Sequence, residues 1–236
     1  MASITLADAP HSEENAPNGR AVAVSFVDRL TKGRLALMQR PTTPDDALAE
    51  LLAGNERFVT GARIHPHQDA ERRAEIAEAQ KPFAVVFGCS DSRLSAEIIF
   101  DRGLGDLFVI RTAGHIVGAE VLASIEYGIT VLGTPLLVVL GHDQCGALQA
   151  TKDAKAGVLD PPPGLRPIVD RIRPVLDDTA AAGITDPDEI TAAHVRSTME
   201  QLSSGDAQLA EALAAKECGL VGFTYRLQDG RVTIVQ

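Results

Sequence analysis

The chain has 236 residues, of which 45% are apolar and 23% are charged. This is an ordinary globular composition, and it excludes global disorder, a collagen-like fibre and a disulfide-rich scaffold. The net charge of −10 argues against nucleic acid or an anionic membrane as a partner, because phosphate binding needs clustered Lys and Arg.

The cysteine content and the apolar runs bear on where the protein works. Three cysteines in so long a chain favour a reducing compartment, so we predict a cytoplasmic protein whose thiols are metal ligands or nucleophiles. The apolar run at residues 136–140 is far shorter than the roughly 20 residues of a spanning helix. The sequence therefore predicts no membrane partner.

The N-terminal residues differ in composition from the rest of the chain. Residues 1–20 are rich in Ala, Ser, Pro, Asn and acidic side chains, which is typical of disorder. Residues 21–40 carry scattered large apolar side chains, and they form either a helix that docks on a partner subunit or a simple extension. We predict an N-terminal tail at residues 1–41, followed by one domain at residues 42–236.

The first predicted element is a helix over residues 44–59. Thr43 is a typical N-cap, and it is followed by a proline and two acidic residues, the usual composition of a first helical turn. Large apolar side chains then recur at helical spacing. A second, more polar helix is predicted over residues 69–79, before Pro82 breaks the pattern.

Three continuous apolar runs follow, and each has the composition of a strand buried on both faces. They lie at residues 83–88, 107–110 and 136–140. A short helix near residues 95–100 and a helix with one apolar face over residues 117–132 separate them. This alternation indicates right-handed parallel crossovers and an α/β fold.

The last third of the chain is predicted to be mostly helical and to end in a hairpin. Helical patterning is found near residues 166–177, 189–202 and 206–217. A strand over residues 220–227, a strong turn at Asp229-Gly230 and a returning strand over residues 231–235 complete the pattern. The predicted fold is a central, mostly parallel β-sheet flanked by helices, with a C-terminal β-hairpin at the sheet edge.

Polar side chains that carry chemistry follow two of the predicted strands. Cys89, Asp91 and Arg93 come after the first strand, and His142 and Cys145 come after the third. Ligands bind outside the carboxyl ends of strands in open α/β sheets. Because neighbouring parallel strands bring these ends together, we expect the two loops to meet.

Two thiolates and one imidazole are a good ligand set for zinc, and catalytic zinc sites keep a fourth position open. Asp91 lies two residues from Cys89, so its carboxylate could reach that position as a conditional fourth ligand. Arg93 could instead hold the carboxylate away through a bidentate pair. The sequence thus predicts a metal site at Cys89, His142 and Cys145, with one aspartate that has two possible partners.

The remaining cysteine and several histidines receive simpler interpretations. Cys218 lies at a helix end with no nearby His or Cys and is interpreted as a small buried hydrophobe. His65 and His67 lie in a polar loop and are interpreted as solvated. His194 falls within a helix as a surface or packing residue, and His115 is a candidate for carrying protons.

Four short segments, in this order, resemble the signature segments of β-class carbonic anhydrases. They are residues 89–93 (CSDSR), 111–114 (RTAG), 124–127 (SIEY) and 141–146 (GHDQCG). The resemblance runs from about residue 43 to the closing hairpin. It implies a zinc enzyme that converts carbon dioxide and water to bicarbonate and a proton, built as a homodimer or a dimer of dimers.

The resemblance also implies roles for individual residues. The zinc ligands of the family fall on Cys89, His142 and Cys145. Its catalytic dyad falls on Asp91 and Arg93, which orient a zinc-bound hydroxide. Residues of the substrate cleft are matched by Gln80, Phe108, Gly114 and Tyr127, with Gln80 and Tyr127 expected from the opposite subunit.

Three other functions remain open on the same residues. A hydrolase of carbon disulfide or carbonyl sulfide would use the same zinc ligands and a differently shaped cleft. A non-catalytic zinc-stabilised module would keep Asp91 as a permanent fourth ligand, although Arg93 beside it argues against that. A redox protein would use Cys89 and Cys145, which lack the usual C-x-x-C spacing.

Overall fold

The computed structural model describes residues 40–205 and 207–236. The predicted tail at residues 1–41 lies almost wholly outside the described residues. The helices in chain order are α1 (Pro44–Val59), α2 (Ala70–Glu75), α3 (Ala96–Ile99), α4 (Ala119–Glu126), α5 (Gly146–Lys155), α6 (Arg166–Ala181), α7 (Pro187–Gly205) and α8 (Ala207–Ala214). The strands are β1 (Ala84–Cys89), β2 (Leu107–Thr112), β3 (Leu136–His142), β4 (Gly219–Tyr225) and β5 (Val232–Val235).

The five strands form one sheet in the order β2-β1-β3-β4-β5. Strands β1 to β4 run parallel, and β5 pairs antiparallel with β4 at the edge. Every residue of β1 and β3 is buried, because helices cover both faces of a parallel sheet. The predicted fold, a mostly parallel sheet flanked by helices with a C-terminal hairpin at its edge, is confirmed.

Alternate residues of each strand pack into two separate apolar clusters, one on each face of the sheet. Val86 and Leu140 belong to one cluster, and Val85 and Val139 belong to the other. The side chains that precede the site are therefore fixed by packing on both sides. This rigid base positions the loops that leave the carboxyl ends of β1 and β3.

The predicted bounds of the first helix are confirmed, whereas the helix predicted over residues 117–132 is an α-helix only over Ala119–Glu126 and continues as a π-helical segment over Tyr127–Val131. Helix α1 spans Pro44–Val59, and the Thr43 side chain accepts a hydrogen bond from the backbone N–H of Asp46. Helix α2 ends at Glu75 instead of residue 79 and buries none of its residues, so no tertiary packing supports a longer helix. Helix α5 was not predicted from the sequence.

No described helix combines the length and the apolar composition needed to cross a membrane.

Helix α7 packs unusually close to the sheet, over glycines in two neighbouring strands. A Cβ added at Gly222 would lie 2.6 Å from the side chains of Met199 and Val195, and one added at Gly141 would lie 2.5 Å from Val195. Only glycine permits backbone and helix to approach this closely. Helix α7 thereby reaches the layer of residues beneath the predicted metal site.

Asn55 joins helix α1 to two distant segments. It is 3% exposed, and its amide nitrogen donates to the carbonyls of Ile99 at 3.2 Å and Gly230 at 2.8 Å. Its carbonyl oxygen accepts from the backbone N–H of Val232 at 3.0 Å. A single buried side chain therefore satisfies three backbone groups that would otherwise lack partners.

Replacing Asn55 should destabilise the protein more than replacing its exposed neighbour. We expect Asn55→Ala to lower the free energy of unfolding by about 3 kcal/mol, because it leaves buried backbone groups unsatisfied. Glu56→Gln is the matched control, since it removes an exposed ion pair to the same hairpin, at Arg231, and should cost less than about 1 kcal/mol. Urea titration followed by circular dichroism measures both, and equal losses would contradict the assignment.

Candidate metal centre

The metal ligands predicted from the sequence come from the carboxyl ends of two adjacent strands. Cys89 is the last residue of β1 and His142 the last of β3, and these strands pair in parallel register. Gln144 adopts a positive φ of 50° in the turn that leads from His142 to Cys145. Cys145 then lies at the N-terminus of α5.

The structure brings the three predicted ligands together in one buried cluster. The two sulfur atoms and the imidazole nitrogen all lie within 4.8 Å of one another. Cys89 and Cys145 are each 6% exposed and His142 is 1% exposed. A buried set of two soft thiols and one imidazole is suited to a transition-metal ion such as zinc.

The imidazole of His142 is oriented for metal binding. Its Nδ1 lies 2.7 Å from the carbonyl oxygen of Asp143. Because a carbonyl only accepts, Nδ1 carries the proton and Nε2 presents a lone pair. That Nε2 atom is buried and has no hydrogen-bond partner among the described residues. An orphaned lone pair that points into a cluster of thiols fits a bound cation.

The two thiols perturb each other in opposite directions. Hydrogen bonds from the Cys145 thiol and from backbone N–H groups lower the pKa of Cys89 to about 4. Contact with that thiolate, together with burial, raises the pKa of Cys145 far above its usual value. Two adjacent thiolates repel each other, so the metal-free pair retains one proton. A divalent cation removes this conflict, and the positive end of the α5 dipole assists.

Asp91 and Arg93 form the bidentate pair that the sequence predicts. Arg93 donates from Nε to Asp91 Oδ1 at 2.9 Å, from a terminal nitrogen to Oδ2 at 2.7 Å, and from its backbone N–H to Oδ1 at 2.9 Å. These bonds hold the pKa of Asp91 well below its usual range. Oδ2 lies 4.0 Å from His142 Nε2, so the carboxylate flanks the cluster while Arg93 holds it.

Arg111 supports the loop that carries Cys89 and Asp91, a contact that the sequence analysis did not identify. Its Nε donates to the carbonyl of Cys89 at 2.9 Å, and a terminal nitrogen donates to the carbonyl of Asp91 at 2.5 Å. Arg111 is opposite Gly88 in the β1–β2 register. A long cationic side chain near the end of a neighbouring strand is the signal that could have revealed it.

Gly114 lies beside the cluster of Cys89, His142 and Cys145. Its backbone N–H donates to the sulfur of Cys89 at 3.3 Å, and its carbonyl accepts from His194 Nε2 at 2.8 Å. The ring of His194 stacks on that of His115, with centroids 4.2 Å apart and planes 19° apart. Of the two roles open to His194, surface or packing, the structure supports packing.

His115 is poorly placed to carry protons to solvent. It is 2% exposed, and burial lowers its pKa well below the usual value. Its Nδ1 lies 3.2 Å from the hydroxyl of Thr198. The expectation of a proton carrier at this position finds no support in its surroundings.

The other residues predicted for the substrate cleft do not gather around the cluster within one chain. Phe108 pairs with Val85, whereas Cys89 pairs with Thr112 farther along the same two strands. The rings of Phe108 and Tyr127 lie 6.1 Å apart, and Tyr127 is 45% exposed. Gln80 is exposed and precedes β1.

Cys218 and His65 have the surroundings that the sequence predicted, whereas His67 does not. Cys218 is buried, and burial raises its pKa to about 12, in agreement with an inert hydrophobe. His65 is exposed. His67 corrects the expectation of a solvated side chain, because its Nδ1 pairs with both carboxylate oxygens of Asp106, at 2.7 and 2.9 Å. A contact across 39 residues leaves no local signal.

Comparison with known proteins agrees with the resemblance to carbonic anhydrases that the sequence motifs indicated. The family described as "Carbonic anhydrase" matches residues 84–232. The chain is 50% identical over 193 residues to a carbonic anhydrase of Mycolicibacterium smegmatis, covering 82% of this chain and 94% of the relative. It is 46% identical to carbonic anhydrase 2 of Mycobacterium tuberculosis, covering 82% and 93%.

Solved structures share the fold at lower sequence identity. The β-carbonic anhydrase CcaA superposes with a TM-score of 0.61 at 24% identity, covering 80% of this chain and 95% of its own. A structure from a report on two tetrameric β-carbonic anhydrases of Sordaria macrospora gives 0.62 at 24% identity, covering 80% and 97%. The sequence matches and the shared fold together show that this chain belongs to the β-class carbonic anhydrase family.

Proposed function

We propose that this protein is a zinc carbonic anhydrase, which converts carbon dioxide and water to bicarbonate and a proton and catalyses the reverse reaction. The observation that carries the proposal is the buried Cys89–His142–Cys145 cluster beside the Asp91–Arg93 pair, in a chain of the carbonic anhydrase family. Cys89, His142 and Cys145 would hold the zinc ion, and their two thiolates would balance its charge. When bound, zinc supplies a Lewis acid that acidifies water.

Asp91 would orient the attacking water-derived oxygen. The lowered pKa of Asp91 keeps this side chain a carboxylate, which only accepts hydrogen bonds. Its Oδ2 atom is the oxygen on the side of His142. By accepting the O–H of the nucleophile, Asp91 would aim the oxygen lone pair at the carbon of carbon dioxide. The carboxylate is 16% exposed, so water reaches it from outside.

Arg93 would determine whether the site is active. While its three donors hold Asp91, that carboxylate would stay away from a zinc ion held by Cys89, His142 and Cys145, and water could bind there. Without these bonds, Asp91 would be free to join the three ligands and to close the site. The two arrangements of one carboxylate form a two-state equilibrium, which Arg93 biases toward the open form.

We further propose that the working unit is a homodimer or a dimer of dimers in a reducing cytoplasm. A second copy of the chain would complete the substrate cleft with Gln80 and Tyr127, both of which are exposed. A report on similar proteins of Sordaria macrospora describes them as tetrameric. The three free cysteines suit a reducing compartment.

Removing one cluster thiol should abolish zinc binding, whereas removing the buried thiol outside the cluster should not. We expect purified protein to hold one zinc ion per chain, and Cys145→Ala to retain at least about tenfold less after dialysis against a chelator. Cys218→Ala is the matched control and should retain the full amount. Elemental analysis by mass spectrometry measures both, and zinc retention by Cys145→Ala would contradict the ligand assignment.

Removing the charge of Asp91 should slow carbon dioxide hydration without loss of zinc. In Asp91→Asn, an amide replaces a pure acceptor, and kcat/KM should fall about 10²- to 10⁴-fold. Asp170→Asn, at an exposed position of α6, is the control. Stopped-flow hydration measures the rates, and carbon disulfide and carbonyl sulfide are assayed in parallel. Faster hydrolysis of either than hydration of carbon dioxide would favour the alternative hydrolase.

Releasing Asp91 from Arg93 should close the site. In Arg93→Ala, we expect kcat/KM to fall at least about tenfold, because Asp91 would occupy the fourth position of the zinc ion. For the same reason, azide should bind to the zinc ion at least about tenfold more weakly. The double variant Asp91→Asn/Arg93→Ala removes the competing ligand and should restore azide affinity. Calorimetric titration measures the azide affinity, and full activity in Arg93→Ala would rule out the switch.

A further inference from the structure

A chain of two hydrogen bonds links helix α7 to the sulfur of Cys89. His194 Nε2 lies 2.8 Å from the carbonyl oxygen of Gly114, and the backbone N–H of Gly114 donates to Cys89 Sγ at 3.3 Å. The two bonds belong to different peptide units. Any effect of His194 on Cys89 would therefore come from the position of Gly114, and not from the polarisation of one shared amide.

The turn that contains Gly114 needs support from outside. Gly114 and His115 adopt positive φ values of 66° and 39°, a conformation that is costly for a residue with a side chain such as histidine. A Cβ at Gly114 would lie 2.7 Å from Ala147 and 2.9 Å from Ile172. The turn is thus confined on one side by contacts with α5 and α6.

Helix α7 supports the other side of the turn. Its Thr198 hydroxyl donates to the carbonyl of His194 at 3.0 Å, so the hydroxyl oxygen is available to accept from His115 Nδ1 at 3.2 Å. The His115 ring stacks on that of His194 and meets that of Phe87 at 77°, with the latter two centroids 6.2 Å apart. Two residues of α7 therefore hold two consecutive residues of the turn.

His194 has the chemical state that this role requires. A carbonyl oxygen only accepts, so Nε2 carries the proton. Burial lowers the pKa of His194, which keeps the ring neutral near neutral pH. Its Nδ1 is buried and has no hydrogen-bond partner among the described residues. The bond to Gly114 is therefore the single polar contact of the ring in the described part of the chain, at a side chain that is almost fully buried.

We propose that His194 is a positioning residue of the metal centre, which holds Gly114 where its N–H stabilises the Cys89 thiolate. A hydrogen bond to a thiolate lowers the energy of its lone pairs, and outer partners of this kind also orient the ligand. The inference rests on the proposed function in one respect only, namely that Cys89 binds a metal ion.

The test compares two replacements of His194 in the full chain. His194→Phe keeps an aromatic ring and removes the donor, whereas His194→Gln keeps an N–H donor at similar reach. Thr191→Val is the matched control, because Thr191 is a buried residue of the same helix whose hydroxyl, within the described residues, bonds to Pro187 of that helix. Zinc affinity is measured by competition with a chromogenic chelator. The thiolate-to-cobalt charge-transfer band of the cobalt-substituted protein is measured by absorption.

We expect His194→Phe to bind zinc about tenfold more weakly and to shift the charge-transfer band to longer wavelength, since the thiolate loses a hydrogen bond. His194→Gln should restore both values, and Thr191→Val should change neither. If His194→Phe does not fold, as judged by circular dichroism, His194→Ala carries the same comparison.

Several results would overturn the inference. An unchanged affinity and band in His194→Phe would show that Gly114 needs no such support. Equal losses in His194→Phe and His194→Gln would show that the N–H donor at this position is not what supports the metal centre. Both results leave the proposed function intact, whereas wild-type protein that binds neither zinc nor cobalt would overturn that function and this inference together.

Discussion

The structure depends on one electrostatic constraint, the burial of two thiols in contact with each other. Cys89 and Cys145 cannot both lose their protons in a low-dielectric interior without a cation between them, because two adjacent thiolates repel each other. The pKa of Cys89 is accordingly lowered and that of Cys145 raised. The surrounding groups reduce this conflict. Gly114 donates an N–H to one sulfur, and the N-terminus of α5 lies at the other. His142 adds a neutral imidazole with an available lone pair.

The sheet supplies the rigidity that this arrangement needs. Strands β1 and β3 are adjacent, parallel and buried along their whole length, so the loops at their ends start from fixed positions. Glycines in β3 and β4 let α7 approach closely, and α7 in turn reaches the turn beside Cys89. Side chains from a helix some 80 residues away thereby contact the turn that contains Gly114.

The Asp91–Arg93 pair places a competing negative charge beside the same centre. A carboxylate is an acceptable ligand for zinc, and that of Asp91 lies 4.0 Å from His142 Nε2, so it could bind a metal ion held by the cluster. Three hydrogen bonds from one arginine and two from Arg111 to the loop carbonyls hold the segment in one conformation.

The sequence by itself determined the features that local patterns encode. Apolar runs set the strands, the Thr43 cap set the start of α1, and the placement of Cys89, His142 and Cys145 after buried strands indicated the cluster. Contacts between distant residues were decided by tertiary structure alone. The support from Arg111 and His194, the His67–Asp106 pair and the early end of α2 depend on strand register and helix packing, because hydrogen bonds across tens of residues leave no periodic trace in the sequence.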